Sequence, residues 1–201
     1  PMNDMRAGQE YNVNTSDEIQ ITASGGNPEL EPWRADSVDL SYEHYFDQDR
    51  GYFSISAFYK NLKSYTYMQT AEFDFSNYPI GDLNPIGTVS IPQNGSGGYM
   101  RGVEFTASLS GDLFSEMLEG FGVIATLSLV DSSISPDLNN QDVPLPGLSE
   151  QVYSVTFYYE RNGFEARLSN RYRSEYRGDI NTFGPRSADF RTISEESVWD
   201  A

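Results

Sequence analysis

Residues 26–46 have the sequence GNPELEPWRADSVDLSYEHYF. Its first part, with Asn-Pro followed by Glu-Leu-Glu-Pro, is typical of a loop. From Val38 onward apolar and polar residues alternate, which predicts a β-strand with two unlike faces. One face carries Val38, Leu40 and Tyr42, and the other carries Asp39, Ser41 and Glu43. A soluble sheet would bury the apolar face, whereas a membrane barrel would turn it outward to lipid.

The composition excludes several classes of protein. The 201 residues contain no Cys and one His, and the net charge is −17. Without Cys, disulfides and thiolate chemistry are excluded. With a single His, a His-based metal site and a Ser-His-Asp triad are disfavoured. The acidic balance disfavours nucleic-acid binding, which needs Lys and Arg. No apolar run approaches the ~18 residues of a transmembrane helix. The 14 Tyr and 12 Phe are typical strand residues and argue against disorder.

Alternation like that of Val38–Phe46 recurs along the chain and predicts six strands. The other five are centred on residues 53–60, 103–110, 121–129, 153–160 and 164–173. A seventh strand is predicted to begin near Arg191. Only a short helical turn, Leu113–Leu118, is expected, so the fold class is all-β and antiparallel.

The connections between these strands alternate in length. DQDRG, GDLFSEMLEG and ERNG are short, whereas residues 68–98, 132–150 and 177–190 form long connections. Short periplasmic turns and long extracellular loops are the rule of an up-and-down outer-membrane barrel. Several strands also reach the ~9–11 residues that cross a bilayer at a tilt. The aromatic residues beside the short turns are expected at the membrane interface. They are Phe46, Phe53, Tyr159 and Phe164.

Several of these motifs together resemble the later barrel strands of TonB-dependent receptors, which are outer-membrane transporters of Gram-negative bacteria. The resemblance begins with the Asn27-Pro28-x-Leu30-x-Pro32 loop, an acidic alternating strand and a tight turn. It continues through Phe58-Tyr59-Lys60, Arg101-Gly102-Val103-Glu104 and the hairpin PLPGLSEQVYSVTFYYERNGFEARLSNRYRSEY. Together these stretches cover roughly residues 25–176.

The resemblance implies a partial barrel, about six or seven strands of a larger barrel of 22 strands. Residues 1–201 would belong to one barrel domain, with the plug domain and TonB box outside this sequence. The first residues, PMNDMRAGQEYN, and the last, SEESVWDA, both suggest a truncated piece. The implied partners are outer-membrane lipid, a small-molecule ligand and the TonB complex acting through the plug. The implied location is the outer membrane of a Gram-negative bacterium.

Candidate ligand contacts are placed in the long loops and the upper lumen. Aromatic faces stack on sugar rings or flat chelates, and Arg grips carboxylate or phosphate groups. The candidates are Tyr11, Trp33, Tyr78, Tyr99, Arg101, Arg173 and Arg177. The alternative for the Arg side chains is pairing with acidic neighbours in the wall, and for Trp33 packing within its own loop.

No catalytic, cofactor or metal site is predicted. Glu43 and Glu104 are expected on the polar face, where one hypothesis pairs them, and solvated lumen charge is their default role. His44 is expected at the interface on the apolar face. Residues 137–142 offer oxygen ligands at short spacing but lack the Gly and terminal Glu of a calcium-binding EF-hand loop. A solvated loop is the default.

Two hypotheses from different classes follow. The first is part of a ligand-gated outer-membrane transporter for a scarce nutrient, an oligosaccharide or an iron chelate, without enzymatic activity. The alternative is a soluble secreted all-β sandwich that binds carbohydrate or has a structural role. An outer-membrane β-barrel enzyme is a third possibility, disfavoured by the single His. In a membrane barrel Val38, Leu40, Phe105, Leu127, Phe157 and Leu168 form an exposed belt, whereas in a sandwich they meet in a core.

Overall fold

The computed structural model describes the backbone of residues 5, 9–14, 20–46, 50–135, 142–182 and 188–201. Side chains are described for residues 5, 10, 21–46, 50–135, 142–178 and 191–201. The strands are β1 (Gln9–Asn14), β2 (Gln20–Gly25), β3 (Ala35–Tyr45), β4 (Gly51–Leu62), β5 (Tyr65–Asp74), β6 (Ile86–Gly95), β7 (Gly98–Ser110), β8 (Phe121–Ile134), β9 (Gln151–Arg161), β10 (Phe164–Arg173), β11 (Tyr176–Thr182), β12 (Ala188–Ile193) and β13 (Glu196–Asp200).

A seven-stranded sheet in the order β13-β10-β9-β8-β7-β4-β3 forms the main layer. All of its neighbours pair antiparallel. The six strands predicted from alternation are all present, and all but β10 extend further at one or both ends. The seventh prediction is wrong in detail. Arg191 lies in β12, which pairs with β11 in a separate ribbon, and the seventh strand of the sheet is β13. The all-β antiparallel fold class is confirmed.

The strand register aligns the two kinds of face across the whole sheet. Leu40, Ala57, Val103 and Leu129 form one cross-strand row on the apolar face. The neighbouring row, on the polar face, contains Ser41, Ser56, Glu104, Ser128 and Val152. Because side chains alternate between faces along every strand, this register gives one continuous apolar surface and one continuous polar surface.

Two glycines on the polar face make room for aromatic rings. A Cβ added to Gly122 would lie 2.1 Å from Cζ of Tyr158, its cross-strand partner. A Cβ added to Gly102 would lie 2.7 Å from Cζ of Phe58, again its direct partner. The absence of a side chain therefore lets each ring lie flat over the backbone of the neighbouring strand, which compensates for the weak strand propensity of glycine.

Three short connections lie at one end of the sheet, which we call the short-turn end. The β9–β10 turn is formed by Asn162 (φ 54°) and Gly163 (φ 81°), as expected of a two-residue hairpin that matches the strand twist. The β7–β8 link contains two 3-10 helices, Gly111–Leu113 and Glu116–Leu118, where the sequence predicted one helical turn over Leu113–Leu118. No helix of the described residues has the length and apolarity to cross a membrane.

The long connection after β4 is not the irregular loop that the sequence predicted. It contains β5 and β6, which pair as an antiparallel hairpin from Tyr65↔Gly95 to Asp74↔Ile86. With β1 and β2 they form a four-stranded sheet, order β1-β2-β6-β5, in which β2 and β6 run parallel. Turn residues such as Asn, Pro and Gly dominate this segment and obscured its strands.

The buried core of the described residues is concentrated away from the apolar face of the main sheet. One cluster, formed by Ile21, Ala23, Phe75 and Val89, lies within the small sheet. A second cluster joins the base of β5 to the β8–β9 connection and contains Tyr65, Tyr67, Ile134 and Val143. The small sheet is therefore an ordered structure with its own core at the opposite end of the main sheet, the loop end.

Candidate membrane surface and ligand pocket

The middle of the apolar face is a broad exposed hydrophobic surface, which we call the belt. It contains Val38, Leu40, Ile55, Ala57, Val103, Phe105, Ala125, Leu127, Val155, Phe157 and Leu168. Val38 is 72% exposed, Leu40 75% and Phe157 58%. In a sandwich these side chains would pack against a second layer. Here they face outward, which is the arrangement expected of a surface covered by lipid.

Aromatic rings border the belt at the short-turn end. His44 packs edge-on against Phe46 at 4.8 Å and lies 5.6 Å from Phe53. Further along the sheet, Phe121 lies 4.6 Å from Tyr159. This confirms that His44 lies on the apolar face among aromatic residues. Amphipathic and aromatic side chains of this kind are enriched at membrane–water interfaces.

A second set of aromatic residues borders the belt toward the loop end. Tyr153 and Tyr172 stack with ring centroids 5.0 Å apart. Tyr59 and Tyr99 lie on the same face of the neighbouring strands by register. Trp199 of β13, opposite Asn170, is also exposed. Asn170 itself is a buried polar residue on this face, and its amide donates to Ser197 Oγ at 3.1 Å and to the carbonyl of Val198 at 3.2 Å.

Two exposed ion pairs lie near the two ends of the apolar face. Arg101 contacts Asp131 at 2.8 Å toward the loop end, and Arg161 contacts Glu119 at 2.8 Å at the short-turn end. About twelve residues of chain separate Glu119 from Asp131, which is roughly 40 Å of extended strand. At a tilt of about 40° this spans roughly 30 Å, the thickness of a bilayer hydrocarbon core.

The polar face does not bring the two carboxylates Glu43 and Glu104 together. Glu43 is opposite Ser54, whereas Glu104 is opposite Ser56 on the other side of β4. The predicted pairing of Glu43 with Glu104 is therefore wrong, because a full strand and a register step separate them. Glu104 instead accepts a hydrogen bond from Ser56 Oγ at 3.3 Å.

Two of the predicted ligand contacts, Tyr99 and Arg101, lie together on the apolar face. Both share this face with Val103, so the register does not direct them toward the polar surface. Arg101 Nε donates to Asp131 Oδ2 at 2.9 Å, and its guanidinium lies 5.2 Å from the Tyr99 ring centroid. The alternative expected for Arg, pairing with an acidic neighbour in the wall, describes Arg101 well.

Trp33 and Tyr78 lie apart from that pair and from each other. Trp33 Nε1 donates to Thr66 Oγ1 at 2.7 Å, and its ring lies 5.1 Å from that of Tyr65. It therefore packs on the base of β5 rather than within its own loop. Tyr78 packs beside the core of the small sheet, 5.6 Å from Phe75. The side chain of Tyr11 lies outside the described residues.

Of the remaining two candidates, Arg177 lines what we call the loop-end pocket and Arg173 lies beside it. This cavity of about 340 Å³ is lined by Pro144, Leu148, Glu150, Ser174, Glu175, Tyr176, Arg177 and Thr192. Arg173 forms its support: the guanidinium stacks on Tyr176 at 3.8 Å and donates to Ser149 Oγ and to the carbonyl of Gly147, both at 2.7 Å. The pocket lining combines positively and negatively charged side chains, hydroxyl groups and apolar side chains.

Sequence reasoning missed most of the residues around this pocket. Ser149, Glu150, Glu175 and Tyr176 were not candidates. Ser149 is buried and donates to the carbonyl of Ser174 at 3.0 Å, which fixes the two loops against each other. The available signal was the cluster of charged and aromatic residues in RYRSEYR, residues 171–177.

No group of three or more His, Cys, Asp or Glu side chains that could hold a metal ion occurs among the described residues. Of the oxygen-rich loop considered above, residues 137, 139 and 140 lie outside the described residues. Asp142 lies at its edge, where its carboxylate accepts a hydrogen bond from Ser135.

Comparisons with known proteins agree with this architecture. The family model described as TonB dependent receptor-like, beta-barrel, matches residues 3–201. The chain therefore belongs to the TonB-dependent receptor β-barrel family. The solved structure of the siderophore receptor PirA from Acinetobacter baumannii matches with a TM-score of 0.54 and 13% identity, over 91% of this chain and 27% of that receptor. This likeness concerns the fold alone, and the chain spans about a quarter of that receptor's length. No curated protein matches the sequence.

Proposed function

We propose that this chain forms part of the wall and the external loops of a TonB-dependent outer-membrane transporter. The observation that carries the proposal is the exposed belt, bordered at both ends by aromatic residues and ion pairs about one bilayer apart. A soluble sandwich would not expose such a surface, because a second sheet would cover its apolar face.

The orientation follows from the connections. The short-turn end faces the periplasm, and the loop end, with the small sheet and the loop-end pocket, faces outside the cell. The apolar face contacts lipid and the polar face lines the lumen. β3 and β13 form the two edges of the sheet. In the whole protein these edges pair with further strands, because unpaired backbone groups are not tolerated in lipid.

The whole protein would bind a scarce nutrient outside the cell and admit it when TonB acts on the plug. The chain contributes binding and passage rather than bond-making chemistry. The loop-end pocket supports a polar small-molecule ligand, an oligosaccharide or an iron chelate, because carboxylates, a guanidinium and hydroxyls can share its hydrogen bonds while Tyr176 offers an aromatic edge.

The test uses the intact transporter. Uptake of labelled oligosaccharides and ferric chelates is measured in cells with and without the transporter gene, and with and without TonB. We expect one ligand class to accumulate only when both are present. Accumulation that is indifferent to TonB would contradict the proposal.

Binding to the purified transporter then tests the pocket. Arg177→Gln removes a charged lining residue, and we expect about a tenfold loss of affinity, since a hydrogen bond to a charged group contributes about that much. Arg167→Gln is the matched control. Arg167 lies on the polar face near the short-turn end and pairs with Glu165 at 2.6 Å, so affinity should not change. Equal effects of the two substitutions would exclude the pocket as the binding site.

A further inference from the structure

A second cavity lies in the main sheet beside the loop-end pocket, and we call it the polar groove. Its volume is about 290 Å³, and it crosses strands β8, β9, β10 and β13. Its lining combines hydroxyl groups, charged side chains and apolar side chains, including Thr126, Ser154, Arg171, Arg173, Glu196 and Val198.

The register shows that this groove opens on the polar face. One cross-strand row of this face contains Thr126, Ser154, Arg171 and Val198, and the next row of the same face contains Val152, Arg173 and Glu196. The row between them contains Tyr153 and Tyr172, whose rings stack on the opposite face. The backbone of this middle row therefore forms the floor of the groove, and the two outer rows form its walls.

Arg173 connects the polar groove to the loop-end pocket. Its side chain lines the groove, and its guanidinium lies 3.8 Å from the ring of Tyr176, which lines the pocket. The next residue along the chain, Ser174, also lines the pocket. The two cavities therefore follow one another along a single stretch of chain. From Arg171 to Arg177 this stretch measures at most roughly 20 Å when fully extended.

The polar groove contains hydrogen-bonding groups that are free to contact a ligand. Within the described part of the chain, the hydroxyls of Thr126 and Ser154 and the carboxylate of Glu196 have no side-chain hydrogen bond or ion pair. The guanidinium groups of Arg171 and Arg173 are already hydrogen-bonded to other parts of the chain. The free groups of the groove are therefore a carboxylate and two hydroxyls.

These free groups favour a neutral ligand with many hydroxyls over an anionic one. Glu196 repels a negatively charged chelate. A sugar hydroxyl, in contrast, can donate to this carboxylate and exchange hydrogen bonds with Thr126 and Ser154. Val152 and Val198 add apolar area on which the C–H side of a sugar ring can pack. The loop-end pocket repeats this combination of carboxylates, hydroxyls and apolar side chains, as a ligand built of repeated units requires.

We propose that the polar groove is an inner subsite of the loop-end pocket, and that the ligand lying across both is a neutral, unbranched oligosaccharide. Its outer sugar units occupy the loop-end pocket and its inner units occupy the polar groove, with Arg173 between them. This inference rests on the proposed function, since it requires the polar face to line the lumen. It selects the oligosaccharide over the iron chelate as the ligand class.

The test measures binding to the purified, intact transporter by calorimetry. The sugar probes are maltose, cellobiose and xylobiose, and the unbranched tetrasaccharides maltotetraose, cellotetraose and xylotetraose. The chelate probes are ferric citrate and a ferric tris-catecholate. We expect one sugar series to bind, with affinity about tenfold higher for the tetrasaccharide than for the disaccharide, because only the longer chain reaches the hydrogen-bonding groups of the groove. Neither chelate should bind.

Substitutions on two strands separate the inner subsite from the pocket. Glu196→Ala should lower tetrasaccharide affinity about tenfold and leave disaccharide affinity unchanged, because the disaccharide occupies the loop-end pocket alone. Ser154→Phe fills the groove from another strand and should give the same pattern. Arg177→Gln, in the pocket, should weaken both lengths alike. Glu165→Gln is the matched control: this carboxylate lies on the polar face near the short-turn end, paired with Arg167, and neither affinity should change.

Equal affinity for the disaccharide and the tetrasaccharide would overturn the inference, as would failure of every sugar to bind. A gain with length that survives both Glu196→Ala and Ser154→Phe would also overturn it. The uptake assay keeps these failures distinct from failure of the proposed function. If a ferric chelate accumulates only when TonB is present, the transporter stands and the sugar subsite alone is wrong. If accumulation is indifferent to TonB, the proposed function itself is wrong.

Discussion

Gly122 is a residue of the main sheet where a single added methyl group should lower stability. The ring of Tyr158 lies against it, and an added Cβ would meet Cζ at 2.1 Å and the phenol oxygen at 2.2 Å. We expect Gly122→Ala to destabilise the intact transporter by about 1–3 kcal/mol, the usual cost of overpacking. Urea unfolding of the transporter in bilayers measures this.

Tyr158→Ala provides the control for that prediction. Removing the ring removes the three atoms nearest to a Cβ at position 122, so the double substitution should lose little more stability than Tyr158→Ala alone. Full additivity of the two costs would show that the ring does not lie where the structure places it.

At the residue scale, the face of each side chain follows from alternation alone, so the sequence predicts that Val38 and Leu40 share a surface. The sequence does not predict which side chains on different strands contact each other. Arg101 and Asp131 are thirty positions apart, and only the register of β7 on β8 brings them together. For the same reason the hypothesis that Glu43 and Glu104 pair could not be tested from the sequence, and the structure shows that β4 separates their strands.

Among the elements, the Asn-Pro-x-Leu-x-Pro loop acts as a clamp on the hairpin β5–β6. Ser64 Oγ donates to the carbonyl of Pro32 at 2.7 Å, and Asn27 Nδ2 donates to the carbonyl of Pro92 at 3.1 Å. Asn94 accepts from the backbone of Glu31 and donates to that of Glu29, both at 2.9 Å. The motif that carries the family resemblance therefore has a structural role in this chain.

Trp33→Phe tests this clamp. It keeps the ring on Tyr65 but removes the hydrogen bond to Thr66 Oγ1, so we expect the base of the hairpin to open more often. Deuterium exchange of the peptide covering residues 65–74 should be faster by roughly threefold to tenfold, as expected for losing one hydrogen bond. Thr66→Val should have the same effect, and unchanged exchange in both variants would contradict the clamp.

The turn after β5 should respond to acid. The backbone N–H of Ser76 donates to Asp74 Oδ1 at 2.9 Å, and this bond, followed by one from the Ser76 hydroxyl, lowers the pKa of Asp74 from its ordinary value of 3.8. Because the pKa of Asp74 is lower in the folded protein than in the unfolded chain, its carboxylate stabilises the turn at pH values above the unfolded-state pKa. This stabilisation is lost as the pH falls through the folded-state pKa.

Above about pH 4, we therefore expect the backbone amide hydrogen of Ser76 to exchange more slowly in the native protein than in Asp74→Ala. In stronger acid this difference in exchange rate should vanish. Hydrogen exchange of residues 74–80, corrected for intrinsic rates, measures it. A difference that persisted below the pKa would show that the carboxylate is not the acceptor that orders this turn.

The hairpin β5–β6 also shows why some elements could not be predicted. Pro92 is unexpected within a strand because it cannot donate a backbone hydrogen bond. β6 pairs with β2 only over Thr88–Ser90, so at Pro92 that side of the strand needs no donor. The turn residues of β6 prevented its prediction as a strand. Its position in the small sheet depends on β2, which lies about sixty residues earlier in the chain.

For the whole molecule, the same charge should have opposite consequences on the two faces. Leu127→Arg places a cation on the belt near its middle, and we expect a loss of about 2–4 kcal/mol in unfolding free energy. Ser128→Arg, one residue later, points to the polar face opposite Glu104 and should change stability by less than about 1 kcal/mol. Urea unfolding in bilayers compares them, and equal costs would be inconsistent with a lipid-facing belt.

The all-β class, six strands and the alternating connections were predictable because each depends on local periodicity and turn residues. The loop-end pocket was not, since it depends on how the β8–β9 connection packs against β10 and β11. Arg173 was a candidate for its charge, yet its contacts with Ser149 and Gly147 arise only from that packing.

The most direct test of the central claim compares adjacent positions on β9. Spin labels at Phe157 and Thr156 in the intact, reconstituted transporter are probed with oxygen, which partitions into lipid, and with a water-soluble relaxation agent. We predict that the label at Phe157 is relaxed by oxygen and the label at Thr156 by the aqueous agent. A label at Phe157 shielded from both would mean that the apolar face is covered by protein, contradicting a membrane wall.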